Sequence, residues 1–159
     1  MSLVEWIVVG GVIVGLIIFA SRSRSRAASG SDSATPLETE TWRERGRGTY
    51  VTGQGILGEL TVEAIATCEP DKAGEVRRAW LEDAIKRARK TSQTASALSA
   101  EATTSNGRHA SGMMASAMLE LAEAAAAMLD EPGLAGAEQR LTNARTSTRA
   151  SLTAMRAVT

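Results

Sequence analysis

The chain has 159 residues, with 18 Lys and Arg against 18 Asp and Glu, so its formal net charge is zero. Aromatic residues make up 3% of it, 28 residues are alanine, and there is one cysteine and one histidine. That composition excludes a disulfide scaffold, because Cys68 has no mate. It excludes a Cys/His metal site, because Cys68 and His109 are too few ligands. It excludes a strongly basic nucleic-acid binder and an all-β domain, which needs more β-branched and aromatic alternation. An all-α protein remains.

The first element in chain order is Leu3–Ala20, LVEWIVVGGVIVGLIIFA, with a single charge, Glu5, at its start. As a helix its eighteen residues rise about 27 Å, close to the hydrocarbon thickness of a bilayer. The flank before it lacks the basic residues of a cleavable signal, and Ile18-Phe19-Ala20 is a poor cleavage site. Residues 1–20 therefore read as an uncleaved transmembrane anchor. Trp6 suits the outer interface, and Arg22, Arg24 and Arg26 follow the span on its other side. The positive-inside rule then predicts a single-pass cell-membrane protein with its N-terminus outside and the rest cytoplasmic. Gly11 and Gly15 have the GxxxG spacing of a membrane helix contact.

Residues 21–48 are rich in Ser, Arg and Gly and read as a flexible linker with nothing to bury. Arg43, Arg45 and Arg47 form a second basic cluster around Trp42. Gly46, Gly48, Gly53, Gly55 and Gly58 resemble no phosphate loop, since Gly58 is followed by Glu59-Leu60 rather than Lys-Ser/Thr. They read as a turn into the helical part.

Residues 49–159 read as an Ala-rich antiparallel three-helix bundle, or a helical hairpin with an extra short helix: a short helix over 57–67, then three long helices over 72–104, 109–129 and 134–158. Cys68-Glu69-Pro70, the Asn106-Gly107 turn and Pro132-Gly133 separate them. Each long helix carries a heptad seam. The first seam is Leu81, Ala84, Ala88, Thr91, Ala95, Leu98 and Ala102. The second is Ala110, Met114, Ala117, Leu121, Ala124 and Met128. The third runs Leu134, Ala137, Leu141, Ala144, Thr148, Ser151, Met155 and Val158. Large residues alternate with small ones, so the helix axes approach closely and the core is thin. With the first turn centred on Asn106, Arg89 and Lys90 are expected near Glu123 and Ala122. With the second near Pro132, Arg145 is expected near Glu120.

The first long helix is longer than its partner, and its overhang carries Val76, Trp80 and Leu81. Either the short helix or another chain must cover Trp80. Trp42, Val76, Trp80 and Leu81 are accordingly the candidate partner interface. No catalytic, cofactor or metal residue is expected. His109 and Cys68 have no partner group in the pattern, Glu82 and Asp83 point about 100° apart on a helix, and Met113, Met114, Met118 and Met128 read as packing residues.

The N-terminal Glu5-Trp6-Ile7-Val8-Val9 resembles the start of a mature type IV pilin helix over about twenty residues. The whole outline, one N-terminal span before Ala/Glu/Arg helices, resembles a peripheral-stalk b subunit of an ATP synthase. The arginine triplet and the linker interrupt the continuous helix of both families, so neither lends residue roles. The expectation is a non-enzymatic, membrane-anchored interaction protein, an accessory or scaffolding subunit. Its partners would be the bilayer and one or more proteins, itself included, and not nucleic acid. The alternatives are an extracytoplasmic component of a secretion or pilus-like apparatus, and a small subunit of a membrane energy-conversion complex.

Overall fold

In the computed structural model of the chain, residues 36–68, 72–131 and 133–159 are described. The expected anchor over 1–20 and most of the expected linker lie outside them, and with them Trp6, Gly11, Gly15, Arg22, Arg24 and Arg26. The described residues are all helical apart from short connections: α1 Pro36–Glu59, α2 Val62–Ala66, α3 Lys72–Glu101, α4 Ser105–Asp130 and α5 Ala137–Val158. Four long helices stand where three were expected.

The fourth comes from the expected linker. Helix α1 runs straight through the anticipated 48/49 boundary. Its seam is Trp42, Gly46, Thr49, Gly53, Ile56 and Leu60, spaced alternately by four and three, and all but the half-buried Trp42 are buried. This is the same heptad logic as in the other helices, with glycine in place of alanine. A Cβ on Gly53 would lie 2.7 Å from Met114 Cε, 2.8 Å from Met118 Cε and 3.0 Å from Leu152 Cδ2. One on Gly46 would lie 2.5 Å from Thr159 Cγ2. Glycine here permits close helix approach at a helix-propensity cost of about 1 kcal/mol per residue.

The three anticipated seams are the core. All seven seam positions of α3 are buried, from Leu81 to Ala102. So are Ala110, Met114, Ala117, Leu121 and Met128 of α4, and Ala137 to Met155 of α5. Ala124 and Val158 are half-buried, and Leu134 is exposed ahead of α5. Helix α4 buries a second stripe as well, Ser111, Met118, Ala122, Ala125 and Leu129, because α3 and α5 flank it on two sides. Among the described residues α4 is the one helix long and apolar enough to cross a membrane. Its two buried stripes face this bundle, while Met113 and Leu119 are exposed.

Sequential long helices are antiparallel. Ser92 Oγ donates to Ala115 O at 2.7 Å and Ser99 Oγ to Arg108 O at 2.9 Å. Positions summing to 207 therefore face each other across α3 and α4, five fewer than an Asn106-centred turn gives. The cause is local: Thr104 Oγ1 accepts from Gly107 N at 3.0 Å and starts α4 as an N-cap, so Asn106-Gly107 falls in the first helical turn. Arg89 and Lys90 consequently sit opposite Met118 and Ala117 rather than Glu123. Across α4 and α5, Thr148 Oγ1 donates to Ala117 O at 3.2 Å. This is the register of a turn near Pro132, yet Arg145 turns to α1 instead of Glu120. Its guanidinium donates to Leu57 O at 2.6 Å and to Leu60 O. Buried hydroxyls of Thr49, Thr91, Thr148 and Ser151 donate to carbonyls on their own helices, and among the described residues no buried side-chain polar atom lacks a partner.

Candidate partner interface

Two of the four anticipated interface residues are internal. Leu81 is fully buried in the cluster of Ile56, Leu60, Ile65 and Leu121. Trp42 docks inside the bundle: its Nε1 donates to Leu98 O at 2.9 Å, and its ring lies against Gly107, where a Cβ would come within 3.0 Å of Cη2. Indole burial with the N–H satisfied makes Trp42 the clasp holding the start of α1 on the α3–α4 end. The other two are exposed. Val76 is 72% and Trp80 45% accessible, one turn apart on α3, so they share a face.

The surroundings of Trp80 are built by three capped helix ends. Thr61, in extended conformation, caps α2 by accepting from Ala64 N at 3.0 Å. The far end of α2 is closed by Arg77, whose Nη1 donates to Thr67 O and Thr67 Oγ1, both at 2.8 Å. Arg78 reaches the other way. It donates to Leu129 O at 3.0 Å at the C-terminus of α4 and pairs with Asp130 at 2.9 Å and Glu82 at 3.1 Å. A cation at a helix C-terminus satisfies the orphan carbonyls and meets the favourable end of the dipole. The two arginines fix α3 between α2 and α4, and Ile65 and Leu81 seal the space beneath.

What stays open is a groove of about 790 Å³ between α2 and α3, lined by Glu63, Ala64, Thr67, Val76, Arg77 and Trp80. The short helix therefore borders Trp80 without covering it. Its five residues bury Ile65 inward and cannot also span the indole face. Glu63 on the rim is held below the ordinary carboxylate range by its own backbone N–H, then by the Thr61 hydroxyl, with the Arg145 charge adding to both. The groove thus has an apolar floor with one anion and one cation at its edge.

The other titratable residues are dispersed. Cys68 is half-buried, its Sγ directed at Ala64 O at 3.8 Å, and His109 is exposed near the start of α4. Among the described residues no three His, Cys, Asp or Glu side chains converge as a metal site would require. Met114, Met118 and Met128 are core, and Met113 is exposed. Arg87 carries the least exposed ion pair between helices, joining Glu59 of α1 and also Asp83 one turn back at 2.8 Å, with Glu59 foremost in raising its pKa.

Among the described residues, fold and groove define an all-helical bundle with Trp80 as its exposed aromatic side chain. Comparison with protein-family models, with curated proteins and with solved structures finds no match for this chain.

Proposed function

We propose that this is a membrane-anchored helical interaction protein, tethered by Leu3–Ala20, that holds a protein partner through the α2–α3 groove. The observation that carries the proposal is the pairing of Val76 and Trp80, both exposed, on the wall of an otherwise capped and sealed corner. A half-exposed tryptophan beside a β-branched residue is the kind of anchor that dominates protein interfaces. Its rim of Glu63 and Arg77 offers one charge of each sign to fix orientation. The bundle acts as a rigid presenter of that face, and its role is accessory or scaffolding rather than enzymatic.

The test is photo-crosslinking from position 76 in the full chain in its native membrane, followed by purification in mild detergent. A discrete adduct that disappears on Trp80→Ala supports the proposal, provided the variant keeps its helical content. Adduct unaffected by Trp80→Ala refutes it. Topology is tested separately at Cys68. The cytoplasmic reading expects labelling by a membrane-impermeant thiol reagent only after permeabilisation. Labelling in intact cells would favour the extracytoplasmic alternative.

A further inference from the structure

A second groove, about 630 Å³, runs between α1 and α5 on a different face. Its polar lining is Tyr50, Gln54, Arg145, Arg149, Thr153 and Arg156, with no acidic residue. Arg145 is committed to the α1 carbonyls. Arg149 and Arg156 are exposed and form no ion pair among the described residues. Burial first, and then the neighbouring Arg149 charge, lower the Arg145 pKa, against the opposing charge of Glu63. Helix α5 as a whole carries Arg140, Arg145, Arg149 and Arg156 against Glu138 alone. Beside the groove, Val51 is 63% exposed on α1, next to the half-buried Tyr50. A strip of unpaired arginines with an aromatic hydroxyl and an exposed aliphatic beside it matches an anionic bilayer surface: phosphate and carboxylate headgroups for the guanidiniums, the acyl boundary for Val51 and Tyr50.

We propose that the α1–α5 groove docks on anionic lipid headgroups and lays the bundle along the membrane. The inference rests on the anchored reading above. The α2–α3 groove then stays free for a protein.

The test uses the full chain with Val51→Cys and Cys68→Ser, spin-labelled at position 51. It is placed in nanodiscs of phosphatidylcholine alone or of phosphatidylcholine with phosphatidylserine. The expected result is lipid-proximal labelling with phosphatidylserine and little with phosphatidylcholine. Each arginine near an anionic surface contributes about fivefold to the docking equilibrium constant, so Arg149→Gln with Arg156→Gln should lower the docked-to-undocked ratio roughly 25-fold. Circular dichroism checks that helix content is retained. Equal docking on both discs, docking on neither, or docking retained in the double variant overturns the proposal. Release by inorganic phosphate at matched ionic strength would make it a free-anion site. Stronger occupancy by an acidic peptide or an oligonucleotide would make it a polyanion site. Either result replaces the lipid. Flotation of the chain with phosphatidylcholine vesicles in alkaline carbonate reports the anchor alone, so its failure is read independently of the groove.

Discussion

The glycines of α1 give a prediction with two opposite signs. Gly48, Gly55 and Gly58 have nothing within 4 Å of where a Cβ would stand. At those positions alanine adds no contact and removes the helix cost of glycine, about 0.8 kcal/mol each. Their environments share no partner, so the three add to about 2.4 kcal/mol. The roughly 126 residues of Ala34–Thr159 form the unit that melts. At about 2.1 cal/mol/K per residue, 1 kcal/mol shifts its Tm by about 4 °C. The triple alanine variant should therefore melt about 9 °C higher. Gly53 lies on the opposite side of the same helix, within 3.0 Å of three core side chains. Leucine there must displace Met114, Met118 and Leu152. Overpacking costs about 1–3 kcal/mol, enough to outweigh the propensity gain. Gly53→Leu should lower Tm by several degrees. The assay is thermal unfolding of the full chain followed by circular dichroism in mild detergent. A flexible linker to residue 48 followed by a turn predicts no shift from Gly48→Ala and no clash at Gly53. Near-zero effects at both, or stabilisation by Gly53→Leu, would refute the helical seam of α1.

Three further outcomes follow from the caps. Arg145→Met removes the donors to Leu57 O and Leu60 O and should cost about 2 kcal/mol by denaturant titration, whereas the unpaired Arg149→Met should stay within about 0.5 kcal/mol. Equal effects would deny Arg145 its capping role. Thr104→Ala should cost about 1 kcal/mol by removing the α4 N-cap, while Asn106→Ala should be nearly silent; the reverse order would restore the Asn-Gly turn. Glu63 has a folded pKa below its ordinary value of 4.5. Its contribution is therefore complete above that value and lost as pH falls through the lower folded pKa. NMR titration should place its midpoint below that of an exposed glutamate and show amides of α2 loosening in the same range, a response absent in Glu63→Gln. A midpoint at or above the ordinary value would overturn the assignment.

Much of the bundle was legible because its seams keep a three-and-four spacing of apolar and small residues, with large and small alternating strictly in Ala110, Met114, Ala117, Leu121, Ala124 and Met128 on α4. Helix α1 was not, for a chemical reason. Gly46 and Gly53 occupy seam positions at which glycine, arginine and threonine composition signals a loop, and only the spacing from Trp42 to Leu60 reveals the heptad. The α3–α4 register differs from the expected one because a threonine cap and an Asn-Gly turn signal compete within three residues, and the Thr104 cap wins. The length mismatch of the helices calls for a cover over Trp80, with the short helix as the expected one, but α2 turns its one large buried side chain, Ile65, inward and leaves Trp80 exposed. Trp42 reads from sequence as a surface residue because its acceptor, Leu98 O, is 56 positions away.

The least legible feature is the one that organises the charges. None of α1 to α4 has a basic residue in its own last turn. Each C-terminus is capped from another helix: α1 by Arg145, α2 by Arg77, α4 by Arg78, and α3 by Arg108, which donates to Ala102 O at 3.1 Å. With a core thinned by alanine and glycine, these long-range caps tie helix ends together where apolar area is scarce. They also divide the arginines into two populations. Arg77, Arg78, Arg108 and Arg145 are engaged with carbonyls away from the α1–α5 groove or at its floor and are not offered to an anionic headgroup. Arg149 and Arg156 carry no such duty. Neutralising the first group should lower stability at constant ligand affinity per folded molecule, and neutralising the second should do the reverse. If both sets change stability and binding in proportion, the caps and the docking strip are one electrostatic system, and a separate anionic-lipid face is untenable.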